Sequence, residues 1–289
     1  MPESVSPSPT VTAAALPRPV LEFVSSDSPG FLASLRELWS YRELLFFLAW
    51  RDITIRYRQT LLGIGWAVLQ PVVTMLVFTI LFGVVVKVPT DGIPAPIFYF
   101  SGLLPWLYFA NAIPASTSSL LGNGYLIKKI YFPRLALPAG TALVALVDFA
   151  IGIVILMAMM IYYDVMSWRL LLWIPLSIHL WLFSFALGAY LSALNVKYRD
   201  VKHAIPFLVQ TWLFLTPVIY PSSVVPERFS LLIDLNPLTG IIESFRKATV
   251  QTASFDWQAL GISAGVTVVL LFLSLAYFRH AEGYFSDIV

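Results

Sequence analysis

Cysteine is absent from the 289-residue chain, and charged residues are scarce. The absence of cysteine excludes disulfides, cysteine-ligated metals and cysteine nucleophiles. Charged residues make up 12% of the chain and hydrophobic residues 58%, whereas soluble domains carry about 25% charged residues. A soluble core of this size cannot bury so much apolar surface. The composition therefore predicts an integral membrane protein.

Motifs of several enzyme classes are also missing. The glycines nearest a lysine pair, Gly122 and Gly124 before Lys128 and Lys129, do not follow the order of a P-loop, which excludes ATP hydrolysis by that route. The three histidines are far apart, and no His-x-x-x-His or Asp-x-Asp pair offers ligands to a metal. The sequence therefore predicts no metal site and no cofactor on this chain, and it disfavours a membrane enzyme.

Six apolar segments are long enough to cross a bilayer as helices. They lie near residues 61–86, 97–121, 135–163, 170–196, 204–220 and 257–278. The predicted fold is an all-α integral membrane protein, with six transmembrane helices in residues 59–289. Residues 1–30 are rich in Ser and Pro, lack a signal-peptide pattern and are predicted to form a disordered cytoplasmic tail.

Lys and Arg positions predict the orientation of these spans, because both residues favour cytoplasmic ends. Most of the 18 Lys and Arg residues lie before the first span, in the second and fourth loops, or in the C-terminal tail. Three of the few on the other side, Arg228, Arg246 and Lys247, share one long loop, where the rule is weak. Both termini are therefore expected in the cytoplasm of a multi-pass protein of the inner membrane.

Two segments are neither spans nor simple loops. Residues 31–58 have apolar residues at helical spacing and a basic end, which predicts an amphipathic helix in the cytoplasmic membrane interface or, alternatively, a mere topology anchor. Residues 221–256 contain two short helical patterns broken at Asn236-Pro237. They predict either re-entrant helices on the outer side or a surface loop with two interfacial helices.

Buried polar residues and aromatic rings within the spans leave alternatives open. Asp148 is the one acid inside a clear span, and that segment has no second acid or His. A structural role, with a hydrogen bond to a neighbouring helix or to a partner subunit, is therefore favoured over a proton relay. His179 is interpreted as a satisfied buried polar group. Aromatic rings either line a pore, where flat rings suit the C–H faces of sugars, or pack between helices. The candidates are Tyr99, Trp106, Tyr108, Phe109, Trp181, Trp212, Phe214 and Tyr220.

Four segments resemble the signature of polysaccharide and polyol-phosphate ABC export permeases. They are residues 50–71 (WRDITIRYRQTLLGIGWAVLQP), 127–134 (IKKIYFPR), 195–221 (NVKYRDVKH with LTPVIYP) and 235–246 (LNPLTGIIESFR). Each segment alone is modest evidence, but the four occur in the family's order and spacing. The resemblance extends from about residue 35 to the C-terminus.

The resemblance implies six spans, a cytoplasmic interface helix and re-entrant outer gate helices before the last span. It also implies a homodimer bound to two copies of a separate ATPase, which would hold the ATP and Mg. The expected substrate is a lipid-linked polysaccharide, first O-antigen and alternatively capsule or teichoic acid, exported across the bacterial inner membrane. Membrane lipids are expected around the chain, and no nucleic acid.

Residue roles follow from the same resemblance. A short cytoplasmic helix within residues 122–138 would dock on the ATPase. The basic end of residues 31–58 would receive the phosphate-rich lipid headgroup, although the positive-inside signal alone explains both basic clusters equally well. The predicted contacts are Lys128, Lys129, Tyr131 and Arg134 with the ATPase, Arg51, Arg56 and Arg58 with the headgroup, and Asn236, Pro237, Glu243 and Arg246 at the outer gate.

Other classes of membrane protein would require other residues in the chain. A secondary flippase would need intramembrane proton or ion sites, for which Asp148 is the one clear candidate. A membrane glycosyl- or acyltransferase would need acid or His pairs that the sequence lacks. Within ABC exporters, a drug or small-lipid exporter is the alternative.

Overall fold

The computed structural model describes residues 31–58, 63, 65–250 and 255–288, and within these ranges the chain is helical without a strand. The predicted tail of residues 1–30 lies outside the described residues. In chain order the helices are α1 (Phe31–Ser40), α2 (Arg42–Arg58), α3 (Gly65–Phe78), α4 (Ala95–Gly122), α5 (Gly124–Lys129), α6 (Ala136–Tyr162), α7 (Trp173–Lys197), α8 (Val201–Leu215), α9 (Ser230–Asp234), α10 (Pro237–Thr249) and α11 (Trp257–Ile288).

Four of the predicted spans are helices that are long and apolar enough to cross a membrane. They are Gly65–Val85, where π-helical turns continue α3, Ala136–Tyr162, Trp168–Lys197 and Trp257–Gly283. The predicted second span is α4, whose 28 uncharged residues are about 42 Å long at 1.5 Å per residue. Asn111 and several Ser and Thr residues interrupt its apolar sequence.

The predicted fifth span, residues 204–220, is wrong in its extent. Helix α8 ends at Leu215 and has 15 residues, about 22 Å, which is less than the hydrocarbon core of a typical bilayer. The chain turns out of the helix because Thr216 precedes Pro217, and a residue before proline is pushed towards extended geometry. Thr216 has φ −113° and ψ 138°.

Helix α4 is the centre of the fold. It packs against α3, α6, α7, α8 and α10, and most of its side chains are buried. Close approach of α7 depends on Gly188, where an added Cβ would lie 2.6 Å from the Ser116 Cβ. Asn195 of α7, which is fully buried, donates from Nδ2 to the Thr117 carbonyl at 3.0 Å. Small residues and buried amides thus join the two helices.

Residues 31–58 form two helices divided at Tyr41, instead of the single amphipathic helix that was predicted. Leu48 of α2 lies beside Gly140 of α6, and Arg56 pairs with Asp148 eight residues further along α6. The two helices therefore run side by side, in the same direction, for about 12 Å. Helix α2 has apolar side chains on its exposed side as well as on its buried side, so it lacks a polar face. The exposed apolar residues are Phe46, Phe47, Trp50 and Ile55.

Residues 221–256 include a buried helix, which does not match the surface-loop alternative. Helix α9 has only five residues, and α10 has 13, so neither is long enough to span. Nearly all of α10 is buried, because it packs against α4, α7 and α11. Gly240 permits this packing, since an added Cβ would lie 2.6 Å from the Ala259 carbonyl oxygen.

The packing of α4 on α7 yields a stability test. Gly188→Ala is expected to destabilise the protein by about 1–3 kcal/mol, because its Cβ would overlap Ser116. Thermal unfolding in detergent measures the effect. Gly265→Ala is the matched control, since an added Cβ there meets nothing within 4 Å. A Ser116→Gly change should rescue Gly188→Ala, and equal midpoints for the two alanine variants would contradict this account.

Candidate functional site

The segment between α4 and α6 presents an exposed apolar and basic surface. Helix α5 ends at Lys129, and the chain is extended at Ile130. Tyr125 and Tyr131 are 72% and 75% exposed, and Lys128 and Lys129 are exposed as well. Lys129 Nζ contacts the hydroxyl of Tyr125 and lies 4.2 Å from the centre of its ring. An open cleft of about 230 Å³ runs along residues 127–134.

Arg134, the fourth residue predicted to contact the ATPase, is only half-exposed. Its Nη1 donates to the Glu282 carbonyl at 2.6 Å, and its guanidinium lies 5.6 Å from the ring centre of Phe285. Both partners belong to the C-terminal end of α11. Phe132 and Leu135 are buried in the same cluster as Leu38 and Phe285. Arg134 therefore joins the α5–α6 segment to the end of α11.

Two of the three arginines predicted to contact a headgroup are already paired. Arg51 forms an ion pair with Asp52 at 2.8 Å and donates to Asn123 Oδ1, at the junction of α4 and α5, at 3.0 Å. Arg56 Nη1 lies 2.9 Å from Asp148 Oδ2. Arg58 is exposed, and the structure gives it no ion pair within the described residues.

Asp148 is bonded to a neighbouring helix, as predicted. The Tyr57 hydroxyl of α2 donates to Asp148 Oδ1, while Arg56 pairs with Oδ2. Burial, followed by the hydrogen bond to Asp148, raises the pKa of Tyr57 to about 12, so this hydroxyl stays a donor at neutral pH. His179 is likewise satisfied, with Nε2 lying 3.0 Å from Thr267 Oγ1.

The predicted pore aromatics divide into two groups. Four of them are buried, because α4 is surrounded by other helices. They are Tyr99, Trp106, Tyr108 and Phe109. The other four lie nearer the surface: Phe214 is exposed, and Trp181, Trp212 and Tyr220 are half-buried.

The rings of α4 make helix contacts that sequence periodicity did not reveal. Phe109 stacks on Phe183 of α7, with ring centres 5.7 Å apart, and meets Trp212 of α8 edge-on at 5.4 Å. The Tyr108 hydroxyl donates to the Ala142 carbonyl of α6 at 3.0 Å. These contacts support the packing alternative for the α4 rings.

The residues predicted for an outer gate meet around α10. Asn236 caps this helix: its Oδ1 accepts from the Leu238 amide at 3.1 Å and from Trp212 Nε1 at 3.3 Å. Asn236 Nδ2 donates to Thr216 Oγ1 at 2.9 Å, and Pro237 occupies the first helical turn. The break between α9 and α10 is therefore bonded directly to the end of α8.

Arg246 and Glu243, the other two residues predicted at the outer gate, form an ion pair in the interior. Arg246 is 2% exposed; its Nη1 lies 2.8 Å from Glu243 Oε1 and its Nη2 donates to the Val218 carbonyl at 2.8 Å. The guanidinium lies 4.0 Å from the ring centre of Phe98. Gly102 of α4 leaves room for it, since an added Cβ would lie 2.6 Å from Arg246 Nη2.

Comparison with known proteins places this arrangement in a family. Residues 43–250 match the family model described as ABC-2 type transporter. The chain belongs to the ABC-2 type transporter family. This match contains the α5 segment, the Arg56–Asp148 pair and the Arg246–Glu243 pair.

The chain matches individual relatives along nearly their whole length. The O-antigen export system permease protein RfbA of Myxococcus xanthus is 32% identical over 257 residues, which are 88% of this chain and 98% of that protein. RfbA of Klebsiella pneumoniae is 27% identical over 252 residues, 86% of this chain and 95% of that protein. The polysialic acid transport protein KpsM of Escherichia coli is 23% identical over 243 residues, which are 80% of this chain and 91% of that protein. The chain is thus similar to ABC transporter permeases.

The buried ion pair yields a second stability test. Glu243→Gln is expected to cost about 3–5 kcal/mol of unfolding free energy, because it leaves the buried Arg246 charge uncompensated. Thermal unfolding in detergent measures the loss. The double variant Glu243→Gln/Arg246→Met should recover part of it, because it removes both charges. If the losses of unfolding free energy in the single variants Glu243→Gln and Arg246→Met simply add up to the loss in the double variant, the two residues are not coupled.

Proposed function

We propose that the chain is the membrane-spanning permease subunit of an ABC exporter that moves a lipid-linked polysaccharide, most specifically O-antigen, across the bacterial inner membrane. The observation that carries this proposal is the match along 98% of the length of a protein named as an O-antigen export permease. The absence of a P-loop from the sequence supports a separate ATPase as the source of energy. The chain itself would then act as a transporter subunit, holding no ATP or Mg.

A homodimer carrying two ATPase subunits is the assembly that we infer, with six spans per subunit and both termini in the cytoplasm. Helix α8 supports the dimer, because its exposed side combines Phe207 and Phe214 with the polar Gln210 and Thr211. An amide facing acyl chains is costly. This side of α8 is therefore better placed against a second subunit or a hydrated polymer path, to which Phe214, and Tyr220 beyond the end of the helix, would contribute rings.

The α5 segment is the proposed contact with the ATPase. Tyr125, Ile130 and Tyr131 expose apolar surface beside Lys128 and Lys129, as a docking surface requires. Arg134 would position this surface by holding it to α11, and Arg51 would connect it to α2 through Asn123. Movement of the ATPase would thereby reach α2 and, through Arg56 and Asp148, α6.

On the outer side, α9 and α10 are proposed as re-entrant gate helices. Asn236 bonds to Trp212 and Thr216, so a displacement of the α9–α10 break would act on the end of α8. Arg246 and Glu243 would hold α10 to α4 and to residues 216–222 while the exit is closed.

A second candidate substrate is a capsule polysaccharide, because a relative matching 80% of the chain is named as a polysialic acid transport protein. Deletion of the gene, followed by complementation, distinguishes the two. Loss of O-antigen from the cell surface, with polymer accumulating inside, supports O-antigen export. Loss of capsule supports the second candidate, and a surface polymer that is unchanged in the deletion strain contradicts both.

Coupling to the ATPase can be tested on the exposed face of α5. Tyr131→Ala combined with Lys128→Ala is expected to lower co-purification of the ATPase at least several-fold, since both side chains are exposed and would be buried on docking. Tyr162→Ala is the matched control, because Tyr162 is 83% exposed at the other end of α6. Equal loss of the ATPase in the control would contradict the assignment.

Headgroup recognition can be tested at the end of α2. Arg58→Gln is expected to cut export about tenfold or more while ATPase association is retained, because a charge-assisted bond to phosphate would be lost. Arg42→Gln, at the other exposed end of α2, is the control. Arg56→Gln should in addition lower thermal stability, because it breaks the pair with Asp148. Export that survives Arg58→Gln unchanged excludes the headgroup role.

A further inference from the structure

A small cleft between α2, α3, α4 and α6 is bordered by two side-chain amides without protein partners. Its volume is about 60 Å³, and its polar lining includes Arg56, Gln70, Asn111 and Asp148. Among the described residues, the structure gives neither the Gln70 nor the Asn111 amide a hydrogen-bond partner. Each amide has two donors and an acceptor oxygen. The cleft therefore offers hydrogen bonds that the protein itself does not use.

Asp148 adds an oriented acceptor to this cleft. Tyr57 donates to one of its oxygens and Arg56 to the other, so the carboxylate is held in one position. Each oxygen keeps a further lone pair, because an ionised carboxylate has about four acceptor positions. The pair with Arg56 also cancels the charge locally, which makes the cleft suited to a neutral polar group. A phosphate would find no uncompensated positive charge there, because Arg56 is already paired with Asp148.

Aromatic rings lie beside these polar groups. Trp66 of α3 is 50% exposed and lines the cleft together with Tyr57 and Tyr108. An indole offers a flat apolar surface, and the amides and carboxylate offer hydrogen bonds next to it. A sugar ring has the complementary chemistry, with apolar C–H groups on its face and hydroxyls at its edge. An acyl chain would instead leave the polar groups unpaired.

The size of the cleft limits what enters it. A volume of about 60 Å³ has room for a few water-sized groups, since one water needs roughly 10–15 Å³ in this measure and a cavity that holds benzene has about 150 Å³. The hydroxyls at one edge of a sugar fit this space, whereas a whole sugar ring does not. The ring would therefore lie at the open mouth, against Trp66, with its hydroxyl edge inside.

We propose that this cleft is a subsite for the hydroxyl-bearing edge of a neutral sugar residue in the exported glycan. The proposal rests on the proposed function, and it adds Trp66, Gln70, Asn111 and Asp148 as substrate-binding residues. The site lies within one subunit, beside the end of α2, and not on the exposed side of α8.

Photo-crosslinking in cells that export their own polymer tests the contact. p-Benzoylphenylalanine in place of Trp66 is expected to yield a crosslinked protein that carries periodate-sensitive carbohydrate. The same probe in place of Val77, which is exposed on the same helix about three turns further on, should yield no carbohydrate. Carbohydrate at both positions, or lipid without carbohydrate at position 66, overturns the subsite.

Substitutions test the amides independently. Gln70→Leu combined with Asn111→Leu is expected to lower the export rate about tenfold, with assembly of the permease–ATPase complex unchanged. Thr74→Val is the control, since the Thr74 hydroxyl bonds within its own helix to the Gln70 carbonyl. Undiminished export by the double variant overturns the subsite, as does an equal loss in the control. If gene deletion leaves the surface polymer intact, the proposed function itself fails.

Discussion

A bilayer offers no hydrogen-bond partner to a protein, so polar groups at membrane depth have to find partners inside the fold. This constraint explains where the polar residues of this chain lie. Asp148, His179 and Asn195 all bond to a side chain or carbonyl of another helix. Arg246 does the same between α10, α4 and the segment after α8. The apolar residues are left to face lipid, and the buried polar contacts determine which helices are neighbours.

Apolar run length predicted the helices well, and local backbone chemistry explains where it did not. Span ends near residues 97–121 and 135–163 agree closely with α4 and α6 because uncharged runs and helices end together there. The helix predicted as the fifth span, α8, ends at Leu215, earlier than predicted, although Pro217 was visible in the sequence. The extension of α11 beyond residue 278 was missed because Phe285 becomes apolar core only when Phe132 and Leu38 pack against it.

Candidate residues were predictable by type, but their partners were not. The Glu243–Arg246 pair follows from three-residue spacing, and its burial does not, because burial depends on Gly102 of a distant helix. Spacing likewise cannot reveal that Arg134 bonds to Glu282 or Arg56 to Asp148, since these residues are far apart in sequence. The aromatic residues of α4 show the same limit: a ring in a span packs or lines a path according to which helices surround it.

The resulting account joins the exposed α5 segment, the helix α2 that runs parallel to α6 and the buried helix α10 in a single permease subunit. Its central claim is that a separate ATPase supplies the energy. Purified permease reconstituted in vesicles, with and without that ATPase, tests this claim by measuring the movement of lipid-linked polysaccharide across the bilayer. The account predicts ATP-dependent movement only when both proteins are present. Movement at the same rate with the permease alone would contradict it.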